Sequence, residues 1–108
     1  MVQTPVLAPD IKDKVLHYAK ILHDHHIPVE KLIVFGSQTS GRVHPGSDID
    51  ICVVSKIFGK NRFDEGVMLS RLTDNYTTDI EPHPYHPNDL NLKYDILAAE
   101  IRKHGIQI

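Results

Sequence analysis

Apolar positions recur along this chain with two different periods, and the switches between them divide it into elements. Ile11, Val15, Tyr18 or Ala19, and Leu22 fall three or four residues apart, which is the spacing of one helix face. Pro9-Asp10 supplies a start and Ile27-Pro28 a stop, so this helix is expected to run to about His25. Lys31 to Phe35 (KLIVF) is a short apolar run rich in β-formers that ends at Gly36, which predicts a strand entering a turn. Ile49 to Val54 predicts a second strand, in which Ile49, Ile51 and Val53 alternate with Asp48, Asp50 and Cys52.

Beyond Gly59 the helical period returns. Asn61 to Asp74 reads as a helix burying Phe63, Val67, Met68, Leu69 and Leu72, with Gly66 weakening it by about 1 kcal/mol relative to alanine. Tyr76 to Tyr85 (YTTDIEPHPY) reads as a third strand, ended by prolines. Pro87-Asn88-Asp89 then resembles a helix start with Asn88 or Asp89 as cap. Leu90, Leu92, Ile96, Leu97 and Ile101 carry that helix to about His104, where Gly105 stops it. Residues 1–8 are expected to be extended or disordered, and residues 9–108 to form one domain. The order of elements predicts an α+β fold, a small mixed sheet with helices packed mainly on one face.

Composition narrows the classes of function. With 108 residues and a net charge of −2, the chain has no basic cluster of the kind that neutralises duplex phosphates, which argues against gripping double-stranded nucleic acid. No apolar run is long enough to span a membrane, and the N-terminus lacks the basic-then-apolar pattern of a secretion signal, so a cytoplasmic location is expected. Cys52 is the one cysteine. It shares the parity of Asp48 and Asp50, but no basic neighbour activates it, so it reads as a buried structural thiol. The eight histidines include His23, His25 and His26 within four residues, yet no cysteine or His-Glu-x-x-His pattern accompanies them. Most of them are read as surface groups.

The chemistry concentrates in Phe35 to Val54, FGSQTSGRVHPGSDIDICVV. Period two puts Asp48 and Asp50 on one strand face, and two like charges so close raise the cost of ionising each other. A hard divalent cation such as Mg²⁺ relieves that cost and binds through carboxylates plus substrate phosphates. Gly36 lets a backbone approach closely, and Ser37 offers a hydroxyl and an amide at the opening of a turn or short helix, a site for phosphate. Asp79 and Glu81 alternate with Ile80 on the third strand, so both are candidates to face the aspartate pair. Strand, phosphate-holding turn and paired carboxylates are what metal-assisted phosphoryl or nucleotidyl transfer requires.

These residues carry a family resemblance. Gly36, Ser37, Asp48 and Asp50, with Ser47 directly before the first aspartate, resemble the signature of the polymerase β-like nucleotidyltransferase superfamily, and over nearly its whole length the chain is similar to the small, free-standing minimal nucleotidyltransferases. The resemblance implies Mg²⁺-dependent transfer of a nucleoside monophosphate, AMP from ATP, onto a hydroxyl acceptor, with one or two metal ions held by Asp48, Asp50 and a third carboxylate. In relatives that acid lies on the third strand as general base, three residues before the proline of a Val-Val-Pro-Tyr ending. Pro-His-Pro-Tyr here aligns Glu81 with it and leaves Asp79 as the alternative.

Relatives often carry Ala-Arg-Gly where this chain has Thr39, Ser40 and Gly41, so Arg42 is the candidate phosphate-contacting arginine, displaced from the family position. The resemblance further implies a helical partner protein of the HEPN type in a toxin and antitoxin pair, with self-association left open. A catalytically weak or inactive nucleotide- or partner-binding module of the same fold, and a phosphohydrolase, are the competing readings.

Overall fold

Pro9 opens the first helix without cost, because amides in the first turn lack intrahelical acceptors in any case. In the computed structural model, which describes residues 7–36 and 48–108, α1 runs Pro9–Asp24 and buries Val15, Tyr18 and Leu22. Leu7, just before it, is also in the core. The helix ends where His26 takes a φ of 60° and the Ile27 amide donates to the Leu22 carbonyl.

β1 (Lys31–Phe35) and β2 (Ile49–Val54) have the expected bounds. They pair antiparallel with Phe35 opposite Asp50, and β2 pairs parallel with β3 (Ile80–Tyr85), which sets Asp50 opposite Glu81. A two-residue strand, β4 (Ile106–Gln107), was not expected; it pairs antiparallel with β1 and completes a mixed sheet in the order β3-β2-β1-β4.

β3 is shorter than its sequence suggested, because the residues before it form a turn instead. Asp74 Oδ1 accepts the amides of Tyr76 and Thr77 and the Thr77 hydroxyl, and the Ile80 amide donates to the Thr77 carbonyl. Pro82 and Pro84 lie inside the strand rather than ending it. The Ile49 amide donates to Asp79 and the Ser55 amide to Tyr85, so odd-numbered residues of β3 bond to β2 and both prolines turn their missing donors to the open edge. That edge is thereby closed to further strands.

The period-two alternation divides the core. Leu32, Val34, Ile49, Ile51, Val53 and Ile80 face α1 and Leu69 of α2 (Arg62–Arg71). Phe35, Cys52, Val54 and Tyr85 face the other way, under Ala98 and Ile101 of α3 (Ile96–His104). Two of the three α-helices among the described residues thus pack on one face, and α3 covers part of the face that carries Asp50. The buried Tyr18 hydroxyl donates to the Leu69 carbonyl at 2.8 Å and ties α1 to α2.

α2 begins as expected, with the Asn61 side chain accepting the Asp64 amide, but Phe63 is 79% exposed rather than buried. The single helix expected from Pro87 is two elements. His86 caps a 3₁₀ turn over Pro87–Asn91, and Asp95 then accepts the Ala98 amide to cap α3. Asn88 and Asp89 are therefore not the caps of a long helix, and Leu92 and Ile96 stay exposed. Gly105 ends α3, at a point where a Cβ would overlap Ile33 and the Ile101 carbonyl. No helix of the described residues is long and apolar enough to cross a membrane.

Candidate active site

Parallel pairing of β2 with β3 makes Asp50 and Glu81 register partners, and neighbouring strands lie only about 4.8 Å apart. His83 follows Glu81 by two residues and so projects from the same face. Its Nε2 is 3.1 Å from Asp50 Oδ1, and its ring packs edge-on against Phe35 with centroids 5.1 Å apart. Ligand atoms of Asp50, Glu81 and His83 all lie within 4.8 Å of one another.

The electrostatics follow from that proximity. The Glu81 carboxyl is pushed above its ordinary value, first by burial and then by the charge of Asp50, with His83 opposing and Asp48 adding a smaller push. Acids held in this way favour a cation between them. On the other side of Asp50, Gly36 takes a φ of 76°, and a Cβ there would overlap Asp50 Oδ2. Only glycine can therefore bring the end of β1 so close to this carboxylate.

Asp48 precedes β2 and is exposed, near enough for its charge to act on Glu81. Asp79 is bound elsewhere. Its Oδ2 accepts Lys14 Nζ of α1 at 2.8 Å, and its Oδ1 is buried with no hydrogen-bond partner among the described residues. Ser37, Arg42 and Ser47 lie outside the described residues. Cys52 shares the face of Asp50 but is fully buried, and burial pushes its thiol up to about 12 against a smaller lowering by Arg62. It is inert packing.

His83 is the residue that sequence reasoning missed. Its signal was parity: two residues after Glu81 on a strand, it had to share that side chain's face. The donors fit a divalent cation, since two carboxylates and an imidazole converge with one carboxyl already resisting ionisation.

Along the outer side of β3, against α2, runs a groove of about 520 Å³. Phe63, Val67, Pro84 and Leu97 make it mainly apolar, and Glu81 and His83 form part of its wall. In sheet order the features run Gly36, Asp50, Glu81, groove. Arg62 closes one end, with its guanidinium 4.4 Å from the Tyr85 ring centroid and 3.4 Å from Asp95.

A family model described as a nucleotidyltransferase domain matches residues 15–104. Among solved structures, the chain is similar to a candidate nucleotidyltransferase from Sulfolobus solfataricus, at 22% identity and a TM-score of 0.59 over 97% of this chain and 90% of that one. It is also similar to a chain in a toxin–antitoxin structure with AMP-PNP, at 22% identity and a TM-score of 0.53 over 93% of this chain and 72% of the other. At such identities these two likenesses concern the fold. Comparison with curated proteins gives no match. The family match spans both strands that bring Asp50 and Glu81 together, and the chain therefore belongs to the nucleotidyltransferase domain family and works in nucleotidyl transfer.

Proposed function

We propose that residues 9–108 form a transferase domain that moves AMP from ATP onto a hydroxyl of a partner protein. The reading rests on one observation above all: Asp50 and Glu81 meet across the β2–β3 register beside the Gly36 turn. Asp48, Asp50 and Glu81 are the residues that would hold Mg²⁺, one ion or two. When bound, the ion supplies positive charge against the triphosphate oxygens and raises the electrophilicity of the α-phosphorus.

The chain's own groups divide the remaining work. Gly36 and Ser37 receive the β- and γ-phosphates, with Ser47 and Arg42 on the same connection contributing contacts to the nucleotide. Glu81 takes the proton of the incoming hydroxyl, and its raised affinity for a proton suits a general base. The hydroxyl oxygen bonds to the α-phosphorus as the bond to the bridging oxygen breaks, and pyrophosphate leaves on the opposite side. Asp79, engaged with Lys14, is the weaker candidate for the base.

The groove on the far side of Glu81 from Gly36 is where the acceptor approaches, since in-line attack puts acceptor and pyrophosphate on opposite sides of the reacting phosphorus. Similarity to a toxin–antitoxin structure with AMP-PNP supports an adenine nucleotide and a partner protein, a helical HEPN-type antitoxin or toxin in this reading. A cytoplasmic setting supplies both. The test is incubation with ATP labelled at the α-phosphate and the protein encoded beside it, with and without chelator. Label retained on that protein, pyrophosphate released and both abolished by chelation or by Asp50→Asn are the expected results. Free AMP as the sole product would replace transfer by hydrolysis.

A further inference from the structure

We infer that His83 is a nitrogen ligand of the cation site and that the site therefore favours a first-row transition-metal ion, of the Mn²⁺ or Co²⁺ class, over Mg²⁺. The inference deepens the proposed function, on which it rests for there being a cation site at all. Its starting point is donor chemistry. A site of carboxylates and phosphates alone suits Mg²⁺, which keeps oxygen ligands and gives up water reluctantly. An imidazole in the inner set shifts the preference toward ions that bind nitrogen well, with Mn²⁺ below Co²⁺ in that order.

The geometry already brings two of the donors to the spacing of ligands on one ion. An octahedral ion with ligands at about 2.1 Å holds adjacent ligand atoms about 3.0 Å apart. His83 Nε2 and Asp50 Oδ1 are separated by 3.1 Å, so the pair spans one edge of such a shell without movement of either backbone. Glu81 is opposite Asp50 in the register and two residues before His83 on the same strand, and its carboxylate is within 4.8 Å of both. The imidazole is held in place, since its side chain is only 25% exposed and its ring abuts Phe35. A ring so confined loses little further freedom when its nitrogen takes a ligand role.

The competing role for His83 is a hydrogen bond that steadies Asp50 and touches no ion. Titration of the whole, nucleotide-free protein with Co²⁺, Mn²⁺ and Mg²⁺ separates the two, read by calorimetry and by visible absorption of bound Co²⁺. His83→Gln keeps a polar side chain that can still bond Asp50 but loses the imidazole, and its thermal unfolding checks that it folds. Expected is Co²⁺ binding at least about tenfold tighter than Mg²⁺ in the parent chain. His83→Gln should lower Co²⁺ affinity at least about tenfold while changing Mg²⁺ affinity less than about threefold. Co²⁺ no tighter than Mg²⁺, or Co²⁺ binding untouched by His83→Gln, overturns the assignment. Because no turnover is measured, absence of AMP transfer would sink the proposed function and leave this result standing.

Discussion

Lys14 Nζ meets Asp79 Oδ2 at 2.8 Å, an ion pair that ties this carboxylate to α1, while Glu81 two residues later stands beside Asp50. Two acids that sequence parity could not separate therefore have different surroundings. Asp79→Asn is expected to keep the transfer rate within about threefold and, the pair being up to a third exposed, to cost less than about 1 kcal/mol of stability. Glu81→Gln is expected to lower kcat by about 10²- to 10⁴-fold, the usual contribution of a positioned base. Single-turnover rates of the two variants check the two rate changes and urea midpoints the stability cost, and a reversed order of rates would move the base to Asp79.

Gly36 sets the distance between the turn and the carboxylate. At a φ of 76° an alanine meets strain of about 1–2 kcal/mol, and its methyl group would displace Asp50. Gly36→Ala should therefore lower both the urea midpoint and, because misplacing reacting groups by about 1 Å costs about a hundredfold, the transfer rate. Comparing it with a substitution at exposed Lys56, 78% exposed, isolates the local effect. Wild-type activity in Gly36→Ala would mean that Asp50 has no fixed place in the mechanism.

What the sequence made legible was what rests on strong local periodicity. β1, β2 and the start of α1 have short apolar runs or stripes bounded by Gly36, Pro9 and Pro28, and their limits match. The face shared by Asp50 and Cys52 followed from parity alone. Harder features depended on competition between local groups or on pairing between distant ones. Thr77 and Thr78 are β-branched and carry no mark that distinguishes turn from strand until Asp74 caps the segment. Asp95 outcompetes the continuous helix expected from Pro87, and β4 exists only because β1 offers an edge. His83 escaped notice because histidine fits neither an apolar nor a charged pattern, and its partner Asp50 is 33 residues away.

The turn that launches β3 titrates in acid. His17 and Thr77 hydrogen bonds hold the Asp74 carboxyl down at about 2, against an ordinary 3.8, with His17 Nε2 at 2.7 Å. A carboxyl whose folded value is depressed stabilises the fold above its unfolded value and loses that contribution as pH falls through the folded one. Asp74→Asn keeps the acceptor for the Tyr76 and Thr77 amides but cannot ionise. The stability difference between parent and variant should thus be full above pH 4 and shrink between about pH 4 and pH 2. Urea midpoints at several pH values test this, and a constant difference across that range would exclude the ionised Asp74 carboxylate as its source.

Phe63 offers a large apolar surface to solvent, 79% of it exposed, on the helix that walls the groove beside Glu81 and His83. An exposed phenylalanine adds little to folding, so Phe63→Ser should change stability by no more than about 0.5 kcal/mol. A partner that seats an acceptor hydroxyl against Glu81 must pass over this ring, and an aromatic side chain at the centre of a contact commonly carries about 2 kcal/mol or more of binding. Labelling of the partner should therefore fall about thirtyfold at subsaturating partner, with ATP affinity unchanged and the rate recovered at high partner concentration. Unchanged labelling at subsaturating partner would mean that the acceptor reaches Glu81 by a route that does not cross α2.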